Sequence, residues 1–92
     1  MKGYYFSERD QNNRSTLTIN GRKVGRIHFC KSGAWLNPGK VCKLKSKAEL
    51  EKLGFSVKYD SSNKTYPIKV YMNTQNEDEI AKRLEKAFLD VQ

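Results

Sequence analysis

The dipeptide Asn20-Gly21 sits between the runs STLTI and RKVGRIHFCK, and few local signals restrict a fold as much. A two-residue type I′ turn needs positive φ at both central residues, which Asn and Gly adopt at least cost, and its twist suits antiparallel strands. The flanking runs alternate in polarity and are rich in β-branched residues, so the segment predicts a hairpin with strands near residues 15–19 and 22–31. Strict alternation cannot bury Val24 together with Ile27 and Phe29, because Val24 has the opposite phase. A β-bulge at Gly25 and Arg26 resolves the conflict by shifting the register one residue. Lys23 and His28 then face outward with Thr16 and Thr18, and the bulge re-aims Arg26.

Other elements follow from similar signals. Tyr4, Tyr5 and Phe6 predict a short first strand, and the aperiodic polar stretch 7–14 predicts a mobile loop. Residues 32–39, SGAWLNPG, read as turn chemistry around Trp35. KVCKLK at 40–45 predicts a short strand with Cys42 and Leu44 on one side. Ser46 and Glu49 have capping-box spacing at the start of a short helix, about 47–53, which Gly54 stops. Phe55, Val57 and Tyr59, then Tyr66, Ile68, Val70 and Met72, alternate with polar residues around the turn SSNK. This predicts a second hairpin, with Pro67 placing its later strand near an edge. Thr74 or Asn76 caps a longer helix, about 76–91, whose apolar stripe is Ile80, Leu84, Ala87, Phe88 and Val91. The expectation is one compact α+β domain over residues 1–92, a small mainly antiparallel sheet built from two β-hairpins with both helices packed on one face.

Charge is segregated along the chain. Of the 92 residues, 18 are Lys or Arg and 10 are Asp or Glu, a net charge of +8. No acidic side chain occurs from Gln11 to Lys47, and the first 47 residues carry eleven cations against two anions. Solubility alone requires no such segregation, whereas a surface that meets a polyanion does. No apolar run approaches the roughly 18 residues of a membrane span. The N-terminus lacks a signal-peptide pattern and the two cysteines are too few for a disulfide framework, so a cytoplasmic protein with reduced thiols and no membrane partner is expected.

Catalytic and metal chemistry find little support in the residue pattern. The chain has one His, and it lacks a nucleophile motif, a Gly-rich phosphate loop and a metalloprotease helix. A small ribonuclease centred on His28 is the one enzyme reading the composition leaves; the expected protein is non-catalytic and has no cofactor. His28, Cys30 and Cys42 fall one short of a four-ligand zinc site, so no metal is expected. Phosphate binding, by contrast, needs only cations on one surface and bases need aromatic faces. Arg22, Lys23, Arg26 and Lys31 on the first hairpin, with Lys40, Lys43 and Lys45 beyond it, are the candidate phosphate contacts. Trp35 is the candidate stacking residue, or alternatively a core plug; Tyr4, Tyr5 and Tyr71 join it if exposed.

From Ser46 to Met72 the order of helix, Gly-Phe and hairpin resembles the opening of small α/β RNA-binding folds, such as the double-stranded-RNA-binding domain and the HicA-type toxins. The histidine that HicA-type toxins carry in this hairpin has no counterpart between Phe55 and Met72, and no third strand fits before Asn73 as the double-stranded-RNA-binding order requires, so neither activity is carried over. Abundant Lys, Asn and Tyr with few Ala resemble accessory proteins of AT-rich bacteriophages or low-GC bacteria. The expected function is nucleic-acid binding, RNA or single strands before duplex DNA, by a small regulatory protein. The alternative is an inhibitor or adaptor that docks on a host enzyme or toxin through the same basic face, with RNA as a bridge in one version.

Overall fold

The computed structural model describes residues 3–38, 43–59 and 68–89. The elements run β1 (Tyr4–Phe6), β2 (Arg14–Ile19), β3 (Arg22–Cys30), β4 (Gly33–Pro38), α1 (Lys47–Lys52), β5 (Ser56–Tyr59), β6 (Ile68–Met72) and α2 (Glu77–Ala87). All six strands join one antiparallel sheet in the order β1-β2-β3-β4-β6-β5. This is the expected α+β class. No described helix is long and apolar enough to cross a membrane.

Asn20 (φ 51°) and Gly21 (φ 81°) both take the left-handed conformation that a type I′ turn requires. The bulge is present but sits one residue earlier than expected: Leu17 pairs with Gly25 and Thr18 with Lys23, which leaves Val24 as the extra residue. Gly25 adopts φ 150°, a conformation strained for any residue with a β-carbon. Val24, Ile27 and Phe29 are buried, whereas Lys23 and His28 take the opposite face with Thr16 and Thr18. Arg26 pairs with Thr16 and so joins the same outward set.

The segment around Trp35 corrects the sequence reading. It is a regular strand, β4, interior to the sheet between β3 and β6, and the turn before it consists only of Lys31 and Ser32. Gly33, Asn37 and Pro38 gave the stretch its turn-like composition. Alternation nevertheless runs through it, with Ala34 and Leu36 buried and Trp35 and Asn37 on the other side. Pro38 is accommodated at the strand's last position, opposite the bulged Gly25. The second hairpin exists as β5 and β6, but β6 is interior and β5 forms the edge. Pro67 lies outside the described residues. Tyr59, expected inward with Phe55 and Val57, ends β5 at 75% exposure. Arg14, assigned by sequence to the loop, opens β2. The strand expected at 40–45 amounts, among the described residues, to one antiparallel bridge between Leu44 and Phe88.

The helices close the other side of the core. Ser46 caps α1 by accepting the Glu49 amide hydrogen at 3.3 Å, and its hydroxyl donates to the Glu49 carboxylate at 3.0 Å. Asn76 caps α2 through the Glu79 amide at 2.9 Å. The helix ends at Ala87, earlier than its apolar stripe suggested, because Phe88 turns extended (φ −108°, ψ 140°) and enters the core beside Leu44. Ile80, Ala81, Leu84 and Ala87 of α2 and Leu50 of α1 are fully buried with the inward side chains of the sheet. Burial of this kind is the main favourable term in so small a fold.

One contact between strands is close enough to test directly. A β-carbon on Gly33 would fall on the Met72 carbonyl oxygen and 2.9 Å from the Asn73 Cα. Gly33→Ala must therefore push β4 away from the end of β6. The expected loss is about 1–3 kcal/mol, the usual cost of overpacking. Urea denaturation followed by circular dichroism reads it as a lower midpoint, and an unchanged midpoint would show that this approach is not tight.

Candidate nucleic-acid interface

The helices pack on the apolar phase of the strands, and the outward phase carries no described element. A row of cross-strand neighbours runs over this open face: Arg14 opposite His28, His28 opposite Trp35, Trp35 opposite Tyr71, and Tyr71 opposite Ser56. The six strands contain Arg14, Arg22, Lys23, Arg26, Lys58 and Lys69 and not one Asp or Glu. The described acids are confined to the β1–β2 loop and the two helices. Register turns Arg14, Lys23, Arg26, Lys58 and Lys69 outward. Arg22 instead pairs with Ile19, in the core phase, at the exposed end of the first hairpin.

Trp35 is neither a loop residue nor a core plug; it lies half-buried near the middle of the open face. Its ring centroid is 4.8 Å from that of Tyr71, with the planes tilted by 51°. The Lys58 ammonium lies over the indole at 5.6 Å from its centre, within range of a cation–π attraction. Tyr71 is fixed from its far end, its hydroxyl donating to the Ser32 carbonyl at 3.0 Å and lying 2.8 Å from the Ser32 hydroxyl. Gln75 donates to the Cys30 carbonyl, which ties the same β3–β4 turn to the segment before α2.

Between these side chains lies a shallow basin of about 490 Å³. His28, Cys30, Trp35 and Asn37 form one wall, and Lys58, Tyr59 and Lys69 form the other. Register sets Lys58 directly opposite Lys69. Like charges facing each other across two strands cost stability. The Arg14 Nε is buried without a hydrogen-bond partner among the described residues. The face combines fixed positive charge with aromatic surface. Among the described residues no three His, Cys, Asp or Glu side chains come together as a metal site would need.

The candidates read from sequence are scattered by this geometry. Lys23, Arg26 and Trp35 share the open face, while exposed Arg22 and Lys31 flank it at the two ends of β3. Lys43 and Lys45 do not join them. The Lys43 carbonyl accepts the Leu89 amide at 2.9 Å and the Lys45 amide donates to the Ala87 carbonyl at 3.0 Å, so this stretch runs beside the end of α2 in the helix layer. Lys40 lies outside the described residues. Of the tyrosines, Tyr71 and Tyr5 are outward, Tyr5 at 66% exposure opposite Thr18, whereas Tyr4 packs edge-on against Phe6 toward the core. Sequence reasoning missed Arg14, Asn37, Lys58 and Lys69. The signal for the two lysines was the outward phase of the second hairpin, hidden by the acids that make residues 48–92 slightly negative as a whole.

Comparison with protein-family models, with curated proteins and with solved structures returns no match, so the functional reading rests on the chemistry of this face.

The loop expected to be mobile, between β1 and β2, carries several contacts. Arg9 stacks its guanidinium 3.6 Å from the centre of the Phe29 ring, and the Asp10 carboxylate accepts the amides of Asn12 at 2.8 Å and Arg14 at 3.0 Å. The Arg14 amide holds the Asp10 carboxyl below its ordinary value of 3.8, against partial desolvation and with help from the Asn12 amide and the charges of Arg14 and Arg26. A carboxyl depressed on folding adds stability above its unfolded value and loses it as pH falls through the folded one. Carbon-detected NMR titration should therefore place the Asp10 midpoint below 3.8. A midpoint at or above that value would mean that the loop does not hold this turn in solution.

Proposed function

We propose that the protein binds single-stranded nucleic acid, RNA above duplex DNA, on the open face of its sheet, and that it does so without catalysis. One observation carries the reading: the strands place five outward cations on the same sheet face as Trp35 and Tyr71 and contribute no acid. Phosphates take the cations, and unpaired bases stack on the aromatic rings, the division of labour that sheet-based single-strand binders use. A duplex keeps its bases stacked inside and can offer this face only its backbone. Neither helix suits a major groove: α1 has six residues, and the first turn of α2 carries Glu77, Asp78 and Glu79, which repel phosphate. The cationic side chains steer a polyanion to one side of the molecule, since the described acids sit in the helices and the β1–β2 loop.

The same face suits an acidic surface of a protein target, the second use expected of a small regulatory protein. Trp35 and Tyr71 favour nucleic acid over that alternative, because stacking on bases uses their ring faces. The test is fluorescence anisotropy of a labelled oligoribonucleotide at several salt concentrations. Five phosphate contacts on a single strand predict a log–log salt slope of about −3.5. Trp35→Ala should weaken binding by about fivefold to a hundredfold or more, the range of one stacked base. Reversal of Arg26 and Lys69 to Glu should abolish it, and reversal of Lys43 and Lys45 should leave most of it intact. Absence of binding at low salt would refute the reading. Equal losses from the face and helix-layer variants would refute the location.

A further inference from the structure

Lys58 stands in two relations that bear on which ligand the face accepts. Its ammonium covers the Trp35 ring at 5.6 Å, and its cross-strand neighbour is Lys69. Lys58 belongs to the edge strand β5 and Trp35 to β4, with β6 between them, so the side chain reaches across a whole strand to the indole. Tyr71 already abuts that indole from β6. A base stacking on the exposed side of Trp35 must therefore take the place of the ammonium.

We propose that Lys58 makes the Trp35 platform selective for bases carried on a phosphate backbone. This rests on the nucleic-acid reading and specifies its ligand. A neutral aromatic must compete with the ammonium for the ring and gains nothing in return. A strand with phosphates draws the ammonium off the ring into a charge-assisted contact beside Lys69. Lys58 acts as a specificity determinant, and Trp35 is the surface it guards.

Trp35 is the chain's single tryptophan, so its emission reports on this one position. The variant is Lys58→Met, which keeps an unbranched apolar stem and removes the charge. The probes are a short phosphodiester oligoribonucleotide and a methylphosphonate oligomer of the same bases, whose backbone is neutral. Wild-type protein should bind the phosphodiester strand strongly and the methylphosphonate strand poorly. Lys58→Met should bind the neutral strand about two- to fivefold more tightly than wild type does, the worth of one partly exposed cation–π contact. It should bind the charged strand more weakly. Acrylamide should also quench Trp35 more efficiently in the variant than in wild type, with no ligand present. Failure of the neutral strand to gain, or unchanged acrylamide quenching, overturns the proposal. If wild type binds the charged strand and the gain is absent, the gate falls while the binding reading stands; if wild type binds neither strand, both fall.

Discussion

The bulge at Val24 and Gly25 is the constraint from which the rest of the surface follows. It admits one extra residue into β3 and thereby puts Val24, Ile27 and Phe29 on the same side despite their conflicting phase. Without it, burying Ile27 and Phe29 would send Val24 to solvent and turn Lys23 toward the core, at a large desolvation cost. With it, Lys23, Arg26 and His28 emerge together on the face that the helices leave uncovered. β4 pairs with β3 from Gly25 onward without a further shift, which sets Trp35 beside His28, and the β4–β6 register sets Tyr71 beside Trp35.

The two faces of the sheet thus divide the sequence by phase. One phase supplies the apolar core that α1 and α2 close, and the other supplies charge and aromatic area. The outward phase is not arranged for stability. Lys58 lies in register with Lys69, and among the described residues the buried Arg14 Nε has no hydrogen-bond partner. Such arrangements persist where a ligand compensates them, which agrees with the polyanion partner proposed for this face.

Much of this was legible in the residues. The Asn-Gly turn, the need for a bulge and the Ser46 cap are local signals, and each appears where local physics puts it to within a residue; the apolar stripe of α2 is also local, although the helix ends at Ala87, before the stripe does. What escaped was decided by neighbours. β4 looked like a loop because Gly33, Asn37 and Pro38 are turn formers; only its pairing on both sides makes it a strand, and Pro38 is tolerated at its last position, opposite the bulge and outside the β6 ladder. Lys58 and Lys69 were hidden for a different reason. Charge summed along the chain mixes them with the acids of the helices, while the fold sorts the two onto opposite layers. Lys43 and Lys45 show the reverse effect, since sequence proximity to the basic hairpin did not bring them to its face.

Amide chemical-shift mapping locates the binding surface residue by residue. Isotope-labelled protein titrated with an unlabelled short oligoribonucleotide should show its largest perturbations at the Trp35 indole N–H and at the amides of β3, β4 and β6, with α2 nearly unaffected. Perturbations concentrated in α2 and residues 43–45, with the Trp35 indole unmoved, would contradict binding on the open face.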